Sequence, residues 1–285
     1  MKVLVTGSTG FIGNYVVGEL LKYDFDIIAS GIELKKEVRY KWLKNKVTYI
    51  QADLNESRED WFSFFGKPDM LIHLSWQGLP HYNELFHLER NLPSNYFFLK
   101  NMVENGLKKM VVIGTCLEYG KQGGALKEDL ETKPDNPYAL AKNCLRQFLE
   151  QFQKKVDFNL KWVRLFYMYG VGQRNNSILS QLETALERGD KIFNMSGGEQ
   201  LRDYLPVKKV AEYLVKISLQ DIVGGVINCC SGKPISIRNL VENYLTKNKK
   251  SIELNLGYYL YPDYEPMAFW GDTSKLNNVL NKDVN

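Results

Sequence analysis

Long apolar runs are missing from this chain of 285 residues: no stretch approaches the roughly 20 apolar positions a membrane-spanning helix needs. Cysteine is scarce. The four cysteines, at 116, 144, 229 and 230, show neither metal-ligand spacing nor a disulfide framework. They read as small core hydrophobes in a reducing compartment, and no metal is expected. An excess of one charge is also lacking. Against 33 Asp and Glu stand 37 Lys and Arg, a formal net charge of +4, and the basic residues are scattered. A nucleic-acid surface would want a denser basic stripe with aromatics between the charges. The short groups Lys35, Lys36, Arg39 and Lys41, and the lysines at 247, 249 and 250, read as solvated surface, with one exception below. A secretory leader is not expected, because Val3, Leu4 and Val5 run straight into a glycine turn. Cytoplasm is the expected location.

What is present is alternation. Residues 2–5, 26–29, 47–50, 70–74, 110–114 and 160–166 read as strands, with helices at 11–22, 85–105 and 137–154. That order predicts an α/β chain with a Rossmann-type, doubly wound parallel sheet. Past Tyr167 the pattern loosens into a helix at 178–188, a Gly-rich stretch at 196–198 and an aromatic-rich stretch at 258–270. A strand-helix-strand segment at 205–229 is expected to return to the sheet, and one more helix is expected at 237–245. The expected division is a dinucleotide-binding domain of residues 1–166 plus roughly 203–231, and a smaller, discontinuous substrate-binding lobe of 167–202 plus 232–285.

Gly7, Thr9, Gly10, Phe11, Ile12 and Gly13 lie between the first strand and first helix. Glycines there permit a tight turn, close approach of a pyrophosphate and close helix–strand packing. The helix N-terminus offers free N–H groups to the phosphates. Gly-rich turns also occur without ligands; the strand before and helix after point to a dinucleotide. An acid normally ends the second strand and holds the adenosine ribose of NAD. Here Ser30 and Gly31 stand at that place, with no carboxylate until Glu33. This leans toward NADP(H), with Lys35, Lys36 or Arg39 reaching a 2′-phosphate. The alternative is NAD(H), with those residues merely facing solvent.

Tyr138 and Lys142 lie four residues apart on a helix that begins at Pro137, so their side chains share one face. A free phenol titrates near 10 and is a poor base at neutral pH; a nearby ammonium favours the phenolate. Thr115 follows a strand whose carboxyl edge faces the ligand crevice, and its hydroxyl can join Tyr138 on one carbonyl oxygen. The pair alone would suit any amphipathic helix. Thr115 makes a catalytic set of Thr115, Tyr138 and Lys142 the better reading.

With these residues the chain resembles the extended short-chain dehydrogenase/reductase family, the nucleotide-sugar epimerase, dehydratase and reductase group, over nearly its whole length. The glycine loop is joined by Asp53-Leu54, His73-Leu74-Ser75, Asn91-Leu92, Tyr119-Gly120 four residues after Thr115, Arg164 with Tyr169-Gly170, and Arg202-Asp203-Tyr204. The resemblance implies that Asp53 and Leu54 meet the adenine and that Leu74, Ser75, Trp76, Asn91 and Ser30 line the cofactor groove. Lys142 would hold the nicotinamide ribose and Arg202 the substrate diphosphate. Asp53 could instead cap a turn, and Arg202 could pair with Asp203 or Glu199. Trp76, His81, Tyr82, Thr115, Cys116, Tyr167 and Arg202 are the residues expected around a nucleotide-sugar substrate. His73 reads as a core histidine.

The resemblance also narrows the reaction. The 4,6-dehydratases carry Asp-Glu after the catalytic Thr, where this chain has Cys116 and Leu117, so water loss is not expected. Cys116 is one place away from the cysteine of GDP-fucose-forming epimerase-reductases and reads as buried and structural. Tyr167 replaces a usual Asn. The loop from Ser75 to Tyr82 resembles that of deoxysugar 4-ketoreductases of surface-polysaccharide pathways. Reduction of a nucleotide-linked 4-keto-6-deoxyhexose is the leading expectation, 4-epimerisation the alternative, and a non-catalytic dinucleotide sensor a further one. Apolar positions Ala141, Leu145, Phe148 and Phe152 on one helix, and Phe97, Met102 and Val103 on another, must cover the sheet; a remainder would form the homodimer interface that the resemblance suggests.

Overall fold

A computed structural model of the chain describes residues 1–34, 38, 40–173, 177–261 and 265–281. The chain begins β1 (Lys2–Thr6), α1 (Phe11–Leu20), β2 (Asp26–Gly31), β3 (Val47–Gln51), α2 (Trp61–Phe64) and β4 (Met70–His73). It continues through α3 (Leu92–Glu104), β5 (Lys109–Thr115), β6 (Gly124–Leu126), α4 (Pro137–Gln153), β7 (Asn159–Leu165) and β8 (Tyr167–Tyr169). Then come α5 (Ile178–Arg188), β9 (Ile192–Asn194), β10 (Leu201–Pro206), α6 (Val207–Leu219) and β11 (Gly225–Cys229). Last are β12 (Pro234–Ser236), α7 (Ile237–Asn248), β13 (Glu253–Asn255), β14 (Phe269–Gly271) and α8 (Ser274–Leu280).

Seven of these strands form one sheet in the order β3-β2-β1-β4-β5-β7-β11. Every pair in it is parallel. The strand order reverses between β1 and β4, and a crevice at that switch point, beyond the carboxyl ends, is where such sheets hold ligands. Side-chain alternation builds the two faces. Val3 and Val5 of β1 enter a cluster with Val16, Val17 and Leu20 of α1 and Val210, Leu214 and Ile217 of α6. Leu4, between them, enters the opposite cluster with Phe98 and Met102 of α3 and Leu145 and Leu149 of α4. Each buried aliphatic side chain contributes roughly 1.5–3 kcal/mol, so both faces resist displacement of the central strands.

Two expectations require correction. Of the 205–229 segment only β11 joins the main sheet; β10 pairs with β8 and β12 in a separate three-stranded sheet. On α4 the buried face runs through Tyr138, Ala141, Lys142, Leu145 and Leu149, a helical repeat that leaves Phe148 outside, where it packs on Tyr96. The expected helix over 85–105 opens with a π-helical turn, His87–Asn91, before α3. Residues 179–254 contribute a further apolar cluster of their own, centred on Leu182 and Val241.

Candidate active site

The first turn is shaped by its glycines. Gly7 sits at φ 68°, and a Cβ there would lie 2.8 Å from the Ser75 backbone nitrogen. A Cβ on Gly13 would lie 2.1 Å from the Gly7 carbonyl oxygen. Ser8 fastens the loop to β2, its backbone N–H and hydroxyl both donating to the Ser30 carbonyl at 3.0 Å. At the start of α1, Gly10 brings no side-chain acceptor and the first turn carries no acid. Its N–H groups are therefore left for an anion, which fits a dinucleotide pyrophosphate. Phe11 and Ile12 are half-buried beside it, and Ile12 packs on the α1 side of the core.

After β2, Thr9 donates through its hydroxyl to Glu33 at 2.6 Å, drawing that acid back over Gly31. Tyr40 holds the Thr9 carbonyl at 2.6 Å and Tyr49 the Glu33 carbonyl at 2.7 Å. Ser30 is buried, its carbonyl taken by Ser8. Lys35, Lys36 and Arg39 lie outside the described residues.

Asp53 does cap a turn, accepting from the Asn55 backbone and side chain at 3.0 and 2.8 Å, and also from Gln77 at 3.2 Å. Leu54 is buried in the core, while Leu74 and Ser75 are half-buried at the mouth of β4. Asn91 is buried with its amide spent on the Gln77 carbonyl, so it shapes the 75–84 loop. His73 is a core residue: its ring lies between the Thr6 hydroxyl at 2.8 Å and Asn95 Oδ1 at 2.7 Å, and burial holds it neutral, with a pKa of about 3.

Thr115, Tyr138 and Lys142 are all buried at the carboxyl end of β5. Pro137 and the Asn136 cap, whose Oδ1 accepts from Ala139 at 2.9 Å, start α4 where Tyr138 faces inward. Thr115 Oγ1 accepts from Leu117 N–H at 3.3 Å, which leaves its own hydroxyl hydrogen to donate. Lys142 donates to the Ile113 carbonyl at 2.8 Å. The expected push of Tyr138 toward phenolate by Lys142 is not the dominant effect. Burial drives the phenol well above its usual range, the neighbouring Thr115 pulling modestly the other way. Burial also draws Lys142 down, to about 7. Tyr138 is therefore a neutral phenol.

Around Tyr138 stand Tyr82, His87 and Trp76, with ring centroids at 5.4, 5.3 and 6.0 Å. His81 contributes a backbone carbonyl, to His87, while its side chain is exposed. Cys116 points into an apolar cluster with Tyr119, Phe166 and Phe269, where burial raises its thiol pKa, so it is the structural cysteine expected.

Arg202 departs from expectation. It is 2% exposed and pairs with Glu265 at 2.9 Å, rather than with Asp203 or Glu199. Its other donors reach the Leu201 and Met267 carbonyls, and Phe269 lies under the guanidinium. Glu265 also accepts from the Tyr167 hydroxyl. These partners take three of the five guanidinium N–H donors.

Glu118 and His87 escaped sequence reasoning. Buried Glu118 accepts from Thr115 N–H and Trp162 Nε1, both at 2.9 Å, and from Arg164 Nε at 2.8 Å. Thr115-Cys116-Leu117-Glu118 is a capping-box pattern, a signal that could have found it. His87 had only its place four residues before Asn91 as a clue.

A family model described as NAD dependent epimerase/dehydratase family matches residues 3–230. The chain belongs to that family. One relative of this epimerase/dehydratase chain is a dTDP-6-deoxy-L-talose 4-dehydrogenase (NAD(+)) of Aggregatibacter actinomycetemcomitans, 32% identical over 95% of this chain and 99% of that one. A dTDP-4-dehydro-6-deoxyglucose reductase of Escherichia coli is 24% identical over 88% and 83%. Among solved structures, a UDP-N-acetylglucosamine 4-epimerase from Methanobrevibacter ruminantium M1 superposes with a TM-score of 0.86, covering 98% of this chain and 91% of that one at 24% identity. No described helix is long and apolar enough to cross a membrane, and no metal-binding group of His, Cys, Asp or Glu occurs among the described residues.

Proposed function

We infer that this family member interconverts a nucleotide-linked 4-keto-6-deoxyhexose and its 4-hydroxy form, with reduction as the direction for which the free protein is set. The carrying observation is the buried convergence of a neutral Tyr138 phenol, the Thr115 hydroxyl hydrogen-bonded to it, and the Lys142 side chain at the carboxyl edge of β5. The dTDP-linked relatives support the same substrate class.

A nicotinamide cofactor, held by the Gly7-Gly10-Gly13 turn and Lys142, would supply the hydride for C4 of the sugar. Tyr138 then gives its proton to the oxygen developing negative charge, and Thr115 donates a hydrogen bond to that same oxygen. Lys142, with one N–H on the Ile113 carbonyl, keeps two for ribose hydroxyls. Gly7, Gly10 and Gly13 seat the pyrophosphate on α1, and Asp53, Leu74 and Ser75 flank the groove. Trp76, Tyr82 and Tyr167 border the sugar. Glu33 at the ribose end favours NAD(H), since a 2′-phosphate would meet its carboxylate. Neither Cys116 nor Leu117 can act as the acid or base of a dehydratase.

The test offers dTDP-, CDP-, GDP- and UDP-linked 4-keto-6-deoxyhexoses with NADH and follows the reduced-nicotinamide absorbance. Stoichiometric consumption with one carrier is expected. Interconversion of sugars without net consumption would make the chain an epimerase, and no turnover of any sugar would end the enzyme reading.

A further inference from the structure

Trp76 stands in the loop after β4, and three contacts fix its indole. Its Nε1–H donates to His87 Nδ1 at 3.0 Å, and the two rings lie edge to edge, 20° from coplanar with centroids 6.2 Å apart. His87 is itself held. Its Nε2–H donates to the His81 carbonyl at 2.9 Å, and Asn91 Nδ2 donates to Nδ1 at 3.2 Å. That leaves one tautomer, Nε2 protonated, which is the one able to accept the indole N–H. So anchored, the indole turns its face to Lys142, whose Nζ lies 3.9 Å from the ring centroid, and meets the Tyr138 ring at 71°.

We propose that Trp76 is a positioning residue that keeps Lys142 both charged and in place through its π face, and that His87 anchors the indole for that purpose.

The surroundings of Lys142 explain why the face matters. A buried ammonium in an apolar setting loses its proton easily, and burial already draws this one down to about 7. The carboxylate facing it is that of Glu118, in the turn after β5. That carboxylate is shared with Arg164 of β7 at 2.8 Å and Arg146 of α4 at 3.9 Å. His73 of β4 and His87 are held neutral by burial, and Tyr138 on the same helix is a neutral phenol. Besides the Ile113 carbonyl at 2.8 Å, the electron-rich surface against Lys142 Nζ is the indole face at 3.9 Å.

This inference rests on the reading of Lys142 as part of the site, but its test does not require turnover. Lysines labelled with ¹³C at Cε are titrated by NMR in the cofactor-free protein, the signal lost in Lys142→Met marking the residue. In Trp76→Leu the Lys142 midpoint should fall by about one pH unit, the size a desolvated cation–π contact supports. Trp76→Phe, which retains a face, should stay within about 0.3 of wild type, and His87→Phe should fall between the two. Should the Leu variant fold poorly, a chain carrying fluorinated tryptophan at position 76 alone, which drains the π face and leaves Trp162 on Glu118 unaltered, should show the same downward movement. An unmoved midpoint in the Leu or fluorinated protein overturns the role of Trp76. A fall in the Phe variant equal to that in Leu does so too, and an unmoved midpoint in His87→Phe removes the anchor. A shifted midpoint in a protein that turns over no sugar would preserve this inference while the functional reading fell.

Discussion

The Thr9 hydroxyl donates to the Glu33 carboxylate at 2.6 Å, closing the turn after β2 over Gly31. A Cβ on Gly31 would lie 2.6 Å from Thr9 Oγ1 and 2.8 Å from Glu33 Oε2, so the latch needs glycine there. A 2′-phosphate about 5 Å from that carboxylate, at an effective dielectric of about 20, would be repelled by about 3 kcal/mol. NADPH should therefore bind on the order of 100-fold more weakly than NADH, and Glu33→Gln should close most of the gap. Fluorescence titration with both cofactors measures this; tighter NADPH binding by the wild type would reverse the cofactor assignment.

Tyr138→Phe removes the proton donor while leaving the ring and its packing on Trp76, Tyr82 and His87. Turnover should drop by about 10²- to 10⁴-fold. The NADH dissociation constant should change by less than about threefold. Turnover close to wild type would take Tyr138 out of the chemistry.

Glu118 carries the end of β5. Its replacement by alanine strands the buried Arg164 guanidinium and frees Thr115 N–H, which should cost about 3–5 kcal/mol in denaturant unfolding. Glu118→Gln keeps hydrogen bonds to Thr115 and Trp162 and should cost less. Equal stability of wild type and the alanine variant would show that the buried carboxylate holds nothing.

His73 gives the fold an acid-sensitive element. Its pKa is depressed from 6.5 to about 3 by burial, so its contribution is fully present above pH 6.5. Between pH 6.5 and 3 the unfolded chain binds a proton that the native state refuses. Stability should therefore fall by roughly 1.4 kcal/mol for each pH unit across that window. His73→Gln, which does not titrate, should show a shallower loss in urea unfolding over the same range. Parallel curves for the two proteins would exclude the histidine as the cause.

Phe97 is 64% exposed on α3, and Leu140 and Phe148 are 39% and 46% exposed on α4. Such large apolar groups on adjacent helices suit a two-fold helix-bundle interface between copies of the chain. Sedimentation at micromolar concentration should give a dimer, and the double variant Phe97→Glu, Phe148→Glu a monomer. A wild-type monomer at that concentration would dismiss the interface.

Much of this was legible before any coordinates. The strands betrayed themselves by β-rich apolar runs, and α1 by the glycines that precede it. Tyr138 and Lys142 share a face simply because four residues make about one helical turn. These are local rules, satisfied by neighbours in the chain. The same rules could not tell Phe148 from Leu149, since which face of α4 meets the sheet depends on how α3 lies against it. Nor could they give Arg202 its partner, which arrives from 63 residues away, or join Glu118 to Arg164 across 46.

By itself, then, the sequence determined the parallel α/β scaffold and the glycine turn, and put Tyr138 and Lys142 on one helical face. Only the tertiary structure decided their protonation: burial, a property of the whole packed molecule, keeps Tyr138 a neutral acid and lowers Lys142. It alone also brought Glu33 back to Thr9 and laid Trp76 on Lys142. Charge and solvation act through space, and distance in space is set by folding rather than by position along the chain.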